Sequence, residues 1–99
     1  LYGKKITLAL CGDLFDYPDR FMTKNLLVWP VYVNYTIDEW NQGTLDEYAT
    51  RAALVAKDVL MINSIDHDPV NHGGSFHFRN GKTVAMIPFD HEDILIVEV

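Results

Sequence analysis

The sequence is poor in cysteine, in basic residues and in long apolar runs. Its 99 residues include one cysteine, Cys11, so an internal disulfide is excluded and a reducing, cytoplasmic setting is expected. The formal net charge of −6 argues against nucleic acid as a partner. No apolar run approaches the roughly 20 residues that a membrane-spanning helix needs, and we therefore predict no membrane partner.

Apolar residues are plentiful, at 48% of the chain, which is typical of a globular protein. The length allows one domain at most. The chain starts without methionine or a signal-peptide pattern, and its last residues, 94–99, have the composition of a strand. We therefore expect residues 1–99 to be a single partial domain cut from a longer protein.

Short apolar segments with strand character recur along the chain. Asn80-Gly81 is a strong signal for a two-residue hairpin turn between two of them. A polar loop is expected over residues 64–74. The predicted strands are 4–10, 26–33, 59–63, 75–79, 82–87 and 94–99.

Two helices are expected between the first three strands. Pro18 at a first turn predicts a short helix over 18–25. The main helix is predicted to begin at Thr44, because Thr44-Leu45-Asp46-Glu47 has the capping-box pattern and apolar residues follow at helical spacing.

This order of elements predicts an α/β fold. The first three strands can be parallel with right-handed crossovers, and the hairpin adds antiparallel strands to give a mixed sheet with one main helix. One helical layer leaves the opposite, apolar face of the sheet uncovered. Because such a face is unfavourable in water, we expect a homo-oligomer or another association through it.

Cys11 ends the first strand and is followed at once by Gly12 and Asp13. A thiol at this position is a candidate nucleophile, and the Gly12 N–H is a candidate donor to an oxyanion. Glycine is also suited to a sharp turn there. The alternative is a small, buried structural thiol, the usual role of a lone cysteine in an aliphatic run.

Several phrases, in the same order, resemble the C-terminal part of the carbon–nitrogen hydrolase (nitrilase) superfamily. The first resembles the nucleophile segment of that family, a strand ending in Cys-x-Asp/Glu and followed by aromatic-Pro-acid. The phrases are Ile6-Thr7-Leu8-Ala9-Leu10-Cys11-Gly12-Asp13 with Tyr17-Pro18-Asp19, Leu26-Leu27-Val28-Trp29-Pro30, Arg51-Ala52, Val59-Leu60-Met61-Ile62-Asn63, and Gly73-Gly74-Ser75 with Asn80-Gly81.

The resemblance implies the C-terminal part of an α-β-β-α sandwich and a cysteine-dependent hydrolase of amide, carbamoyl or nitrile substrates. Cys11 would form a thioester with the substrate's acyl group, helped by the Gly12 N–H, and no cofactor is needed. The family's triad is Glu-Lys-Cys, and its Glu and Lys come from segments that precede this chain. Residues 1–99 alone are therefore predicted to be inactive.

Other residues are weaker candidates for the site. Asp13 can orient the nucleophile and pair with Arg51, or it can be an exposed carboxylate in a turn. Tyr32, Tyr35 and Trp40 follow the second strand and can form walls of a substrate pocket, although ordinary packing is the commoner role of aromatic residues.

Two further classes of function stay open. One is a non-catalytic α/β module that dimerises through the bare sheet face, with Cys11 as a structural thiol. The other is a Cys–His hydrolase using one of the four histidines, which the spacing does not support. Asp and His residues cluster over 66–72 and recur at 77 and 90–91, but without metal-ligand spacing, so we predict no metal site.

Overall fold

The computed structural model describes residues 5–67, 70–90 and 95, and only the backbone of residues 67 and 70. It contains seven strands and four short helices in these ranges. The strands are β1 (Ile6–Leu8), β2 (Leu26–Val31), β3 (Asp58–Asn63), β4 (Ile65–His67), β5 (Val70–His72), β6 (Ser75–Arg79) and β7 (Lys82–Ile87). The helices are α1 (Asp13–Asp16), α2 (Pro18–Phe21), α3 (Ile37–Glu39) and α4 (Leu45–Ala53).

Five strands form one mixed sheet in the order β1-β2-β3-β6-β7. β1, β2 and β3 are parallel, as predicted, with Leu8 opposite Val28 and Val28 opposite Leu60. β6 and β7 are antiparallel to their neighbours. The sequence-based expectation of an α/β fold with a mixed sheet and one main helix is therefore confirmed.

The helices pack on one face of this sheet because of its strand order. The chain moves from β1 to β2 to β3 in one direction, and right-handed crossovers then place both connections on the same side. The hydrophobic core lies between these helices and the sheet. It includes Leu14 from α1, Ala49 and Ala52 from α4, and Leu27, Trp29, Val59, Met61, Phe76 and Phe78 from the strands.

The capping box lies eight residues earlier in the chain than predicted, at Thr36 instead of Thr44. Thr36 accepts a hydrogen bond from the Glu39 N–H, and the Glu39 carboxylate accepts one from the Thr36 N–H. These bonds hold the pKa of the Glu39 carboxyl below its usual value. Thr44 has helical backbone angles and its side chain makes no cap, so the predicted box at Thr44 is wrong.

An irregular turn over Trp40–Thr44 separates α3 from α4. Its bend occurs at Gly43, whose φ of 132° favours glycine. The turn places the Trp40 side chain in the hydrophobic core, where it is buried. A single continuous helix from Thr36 would carry Trp40 and Leu45 on different faces, and the bend allows both to contact the core.

The predicted polar loop over 64–74 contains a small hairpin, β4 paired with β5, so that prediction is wrong. The following hairpin is confirmed, with Asn80 (φ 52°) and Gly81 (φ 81°) forming a turn between β6 and β7. Both positive φ values fit the two-residue turn that Asn-Gly favours. The strand predicted over 94–99 lies outside the described residues, apart from Leu95.

The other face of β1–β3 carries only aliphatic side chains along most of its length. Alternation and register place eight of them there, a group called the aliphatic face below. Its members are Ile6, Leu8, Leu10, Leu26, Val28, Pro30, Leu60 and Ile62. Ile6, Leu8, Leu10 and Ile62 are 41–56% exposed, and the other four are half-buried.

Three polar side chains border the aliphatic face where β3 meets β6. Asp58 accepts hydrogen bonds from Arg79 Nε at 2.7 Å and lies 2.8 Å from His77 Nε2. The His77 side chain is buried. Elsewhere, the described helices are all too short or too polar to cross a lipid bilayer.

Candidate active site

Cys11 lies at the carboxyl ends of the parallel strands, just beyond β1 and beside the end of β2. Its backbone has φ 46°, in the left-handed region that few side-chain-bearing residues adopt. The residue is exposed, so the expectation of a small buried thiol is wrong. In open α/β sheets this edge is where ligands bind.

Hydrogen bonds hold the backbone on each side of the thiol. The Cys11 N–H donates to the Pro30 carbonyl at 2.9 Å, which extends the pairing of β1 with β2. The Trp29 indole Nε1–H donates to the Cys11 carbonyl at 2.8 Å. Because Trp29 is fully buried, this bond ties Cys11 to the centre of the core.

Asp13 closes the turn around Cys11. Its Oδ2 accepts a hydrogen bond from the Leu10 N–H at 3.0 Å, and its own N–H donates to the Leu10 carbonyl at 3.0 Å. These two bonds join Leu10 to Asp13 and so stabilise the left-handed backbone geometry of Cys11 between them. Asp13 stabilises the turn by bonding to the backbone and not to a charged side chain.

Gly12 does not make the sharp turn that the sequence predicts for it. The sharp turn falls on Cys11, whereas Gly12 has φ −73° and is the N-cap residue that precedes α1. A Cβ at Gly12 would lie 3.2 Å from Asp16 Oδ2, a contact that a small side-chain movement can relieve. Among the described hydrogen bonds, none uses the Gly12 N–H as donor, which leaves it available to an incoming oxygen.

A cleft of about 110 Å³ opens beside the thiol. Its walls come from the turn after β1, from α1, from the end of β2 and from α4. Aromatic and aliphatic side chains dominate these walls, and the described lining holds no charged side chain. The lining residues are Cys11, Gly12, Phe15, Val31, Tyr32, Val33 and Tyr48.

Asn63, at the end of β3, holds one wall of this cleft in place. Its Oδ1 accepts from the Val33 N–H at 2.9 Å, and its Nδ2 donates to the Val33 carbonyl at 3.1 Å. The same Nδ2 lies 2.8 Å from Asn71 Oδ1 and 2.9 Å from the Gly73 carbonyl. One buried amide thus joins the end of β2 to the β4–β5 hairpin.

The three aromatic candidates separate in the structure. Tyr32 lines the Cys11 cleft, and its Oη lies 3.1 Å from Asp66 Oδ2. Tyr35 packs against Tyr48 and Trp40 at ring-centroid distances of 6.0 Å. Trp40 is buried and lines another cavity, together with Phe76 and Phe89. Only Tyr32 therefore lies at the candidate site.

Tyr48 contributes both to the cleft and to the core. Its ring stacks on Trp29 at 5.6 Å, and its Oη lies 3.3 Å from Tyr35 Oη. Burial raises the pKa of the Tyr48 hydroxyl, and the hydrogen bond to Tyr35 raises it further. The Tyr48 hydroxyl therefore stays protonated, and its hydrogen-bond partner is Tyr35.

The expected pairing of Asp13 with Arg51 is not formed. The Arg51 guanidinium lies over the Phe15 ring, 4.9 Å from its centroid, in a cation–π contact. Asp13 is instead occupied by the Leu10 N–H. Arg51 acts on the site indirectly, because it covers the outer side of the Phe15 ring that lines the cleft.

The described residues supply no base for the thiol. No described hydrogen bond involves Cys11 Sγ. His72 lies 2.7 Å from Asp90, and His77 is bonded to Asp58, so both are engaged elsewhere. The His67 side chain and His91 lie outside the described residues. Within the described part of the chain, no three His, Cys, Asp or Glu side chains form a group that could hold a metal ion.

Sequence reasoning found the thiol, its neighbours and Tyr32, but missed most of the cleft. Phe15, Val31, Val33 and Tyr48 come from three separate elements, and each has an ordinary apolar pattern in the sequence. The sequence did contain one indication, because Val31 and Val33 lie at the end of the predicted strand 26–33, and we expect that strand to lie beside the one that precedes Cys11.

Comparisons with protein-family models, with curated proteins and with solved structures found no match for this chain.

Proposed function

We propose that this chain is the C-terminal part of a nitrilase-like carbon–nitrogen hydrolase, with an α-β-β-α sandwich architecture and Cys11 as the nucleophile. The observation that carries the proposal is the placement of an exposed thiol in a left-handed turn at the carboxyl end of a parallel strand, beside an apolar cleft. The substrates are small-molecule amides, carbamoyl compounds or nitriles.

The proposed reaction proceeds in two steps. With an amide, the Cys11 thiolate attacks the carbonyl carbon, the C–N bond breaks, and the nitrogen leaves as ammonia or an amine after gaining a proton. Water then attacks the thioester, releasing a carboxylic acid and restoring the thiol. With a nitrile, one water adds to the first thioimidate before ammonia leaves. The Gly12 N–H stabilises the oxyanion in each case.

The base and the second oxyanion donor are assigned to residues outside this chain. The family resemblance implies a glutamate that carries the proton and a lysine that stabilises the oxyanion. Loss of one oxyanion donor typically lowers turnover by about 10²–10³. Residues 1–99 alone, which lack both groups, are therefore expected to show no turnover.

The cleft favours neutral acyl groups among these substrates, because its described lining holds no charged side chain. Its aliphatic and aromatic walls favour an apolar acyl chain, and the Tyr48 hydroxyl is already bonded to Tyr35. Tyr32→Ala should widen the cleft and extend the accepted acyl length, because Tyr32 is the exposed wall.

The test compares thiol reactivity in two proteins. Residues 1–99 and the longer protein that includes the preceding coding sequence are treated with iodoacetamide, and intact mass is followed with time. We expect rapid labelling only in the longer protein, because the thiolate and not the thiol is the nucleophile. Cys11→Ser should abolish the label, and each protein unfolded in urea gives the reference rate.

Turnover gives the second measurement. Cys11→Ala in the longer protein should abolish amide hydrolysis while leaving the thermal midpoint nearly unchanged, since the side chain is exposed. Retained turnover would overturn the assignment. Slow and equal labelling in both proteins would do the same.

The alternative is a non-catalytic α/β interaction module in which Cys11 is a structural thiol. The aliphatic face favours it, because a large apolar surface is typical of proteins that associate. The two functions differ in the preceding coding sequence, which in a module would encode neither the glutamate nor the lysine motif. They also differ in the labelling experiment, where a module shows no gain in rate.

A further inference from the structure

We propose that the cavity beside Trp40 binds a small neutral molecule that carries an aromatic ring and a carbonyl oxygen. The cavity lies on the helical side of the sheet, between the irregular turn after α3, the first residues of β6 and the last residues of β7. Its volume is about 370 Å³, within the range of ~300–1,000 Å³ that is typical of small-molecule sites. It shares no described lining residue with the Cys11 cleft, so the two sites are separate.

Three buried aromatic rings form part of the cavity wall. The Trp40 ring stacks on Phe89 at a centroid distance of 4.9 Å, and the Phe76 ring lies 5.3 Å from Trp40 at an angle of 58°. All three side chains are at most 6% exposed. The remaining lining residues are Ile37, Asn41, Leu45, Met86, Pro88 and Asp90. Because aromatic rings pack well in offset and tilted pairs, this wall favours a flat aromatic ligand.

The indole N–H of Trp40 selects the second feature of the ligand. Its Nε1 is buried and has no hydrogen-bond partner among the described residues. An unpaired buried donor is unfavourable, and an acceptor that reaches it gains binding free energy. An indole N–H donates and cannot accept, so the opposing atom must be an acceptor such as a carbonyl oxygen. Since Nε1 is closed off from solvent, a lining side chain has to move, and the flexible Met86, 47% exposed, is suited to this.

The charge at the cavity favours a neutral ligand. Among the described lining residues, Asp90 has the charged side chain, and its Oδ1 lies 2.7 Å from His72 Nδ1. The Asp90 carboxylate would repel an anionic ligand. A cationic group would leave the Trp40 N–H without an acceptor. A neutral carbonyl compound fits both groups.

The two tryptophans of the chain provide an internal control. Trp29 Nε1 already donates to the Cys11 carbonyl at 2.8 Å, whereas Trp40 Nε1 has no described partner. The isotope-labelled chain is titrated with acetophenone and, separately, with α-methylstyrene, in which a methylene group replaces the carbonyl oxygen. We expect acetophenone to move the NMR signal of the Trp40 indole N–H downfield and to leave that of Trp29 in place. α-Methylstyrene should bind about threefold or more weakly, without the downfield shift.

Two exposed residues of β7 test whether the ligand enters this cavity. Met86 lines it, whereas Val84, 51% exposed, lies outside its described lining. Met86→Asp places a carboxylate at the cavity and should weaken acetophenone binding by about fivefold or more, because binding would then bury charge. Val84→Asp should leave the affinity within about twofold. Trp40→Phe keeps an aromatic ring without the N–H and should abolish the preference for acetophenone over α-methylstyrene.

The native chain alone decides the outcome if the variants fold poorly. Equal affinity and equal shifts with the two probes would overturn the proposal. A nuclear Overhauser effect between the Trp40 N–H and water that persists at saturating acetophenone would identify water as the partner, and would overturn it too. A Trp40 signal that moves on dilution of the protein would assign the cavity to a second copy, with the same consequence. Cys11→Ser should bind acetophenone as the native chain does, so a failure of the hydrolase assignment leaves this result unaffected.

Discussion

The two faces of the sheet differ in the side chains that they carry and in whether helices cover them. The helix-covered face carries large aromatic side chains, and Trp29, Phe76 and Phe78 are at most 1% exposed. The aliphatic face carries branched aliphatic side chains and one proline, and no described element covers its exposed members. Aromatic rings pack in few geometries, so the covered face favours one arrangement of helices over the sheet.

This difference separates side chains that should contribute strongly to the stability of the fold from side chains that should contribute little. The Trp29 ring contacts Tyr48 and Phe15, and its Nε1–H holds the Cys11 carbonyl. Changes on the covered face should therefore affect both the free energy of unfolding and the geometry of the candidate site. Changes on the aliphatic face should leave both almost intact in the monomer.

The largest expected effect is that of Trp29→Ala. Removing this fully buried ring should lower the free energy of unfolding by about 3–5 kcal/mol, because it leaves a cavity and frees the Cys11 carbonyl. Urea denaturation at low protein concentration measures the change. Leu8→Ala, on the aliphatic face, should cost less than about 1 kcal/mol. Equal costs would contradict the comparison of the two faces.

An intermediate effect is expected for Ala52→Leu. Ala52 is fully buried in α4, where a small side chain lets the helix lie close to the sheet. The added volume should lower the free energy of unfolding by about 1–3 kcal/mol. The matched control is Ala53→Leu at the exposed neighbouring position, with an expected change within about 0.5 kcal/mol. Thermal melts of both variants make the comparison.

The smallest effect concerns Asp58, at the border of the aliphatic face. Burial raises the pKa of its carboxyl, but the hydrogen bonds from Arg79 and His77 outweigh burial and hold the pKa below its usual value. A carboxyl with a lowered folded-state pKa stabilises the fold above about pH 3.9, its unfolded pKa. That contribution is lost as the pH falls through the folded-state pKa.

Asp58→Asn should therefore remove part of the acid sensitivity of the fold. The loss of stability at neutral pH should be about 1 kcal/mol or less, because the ion pair is partly exposed to solvent. Urea midpoints at pH 7 and pH 3 measure the difference. Asp19→Asn, at an exposed carboxylate outside the described ion pairs, is the control. An unchanged pH dependence in Asp58→Asn would contradict this role.

The hairpin of β6 and β7 was predictable because its signal is local. Asn80-Gly81 adopts the turn by itself, and the flanking residues have strand character. The capping box was not predictable, because the pattern Thr-x-x-Glu occurs at Thr36 as well as at Thr44. The burial of Trp40 between the two threonines decides which one caps a helix.

The candidate site was half predictable for a similar reason. Cys11, Gly12 and Asp13 are adjacent in the chain, and their strand-end position followed from the apolar run before them. The predicted Asp13–Arg51 pair failed because the Asp13 carboxylate accepts the Leu10 N–H and Arg51 lies over the Phe15 ring. The β4–β5 hairpin was missed because four of its six residues are polar, and because the Asn63 amide that bonds to Asn71 and to the Gly73 carbonyl has no local sequence signal.

By itself, the sequence determined the α/β class, the parallel order of the first three strands, the hairpin turn and the position of Cys11 after β1. These features depend on short-range patterns of polarity and backbone preference. Tertiary structure alone decided which threonine caps a helix, which side chains line the cleft and which sheet face lacks helices. The reason is physical, because strand register and crossover handedness bring together side chains that no local pattern connects.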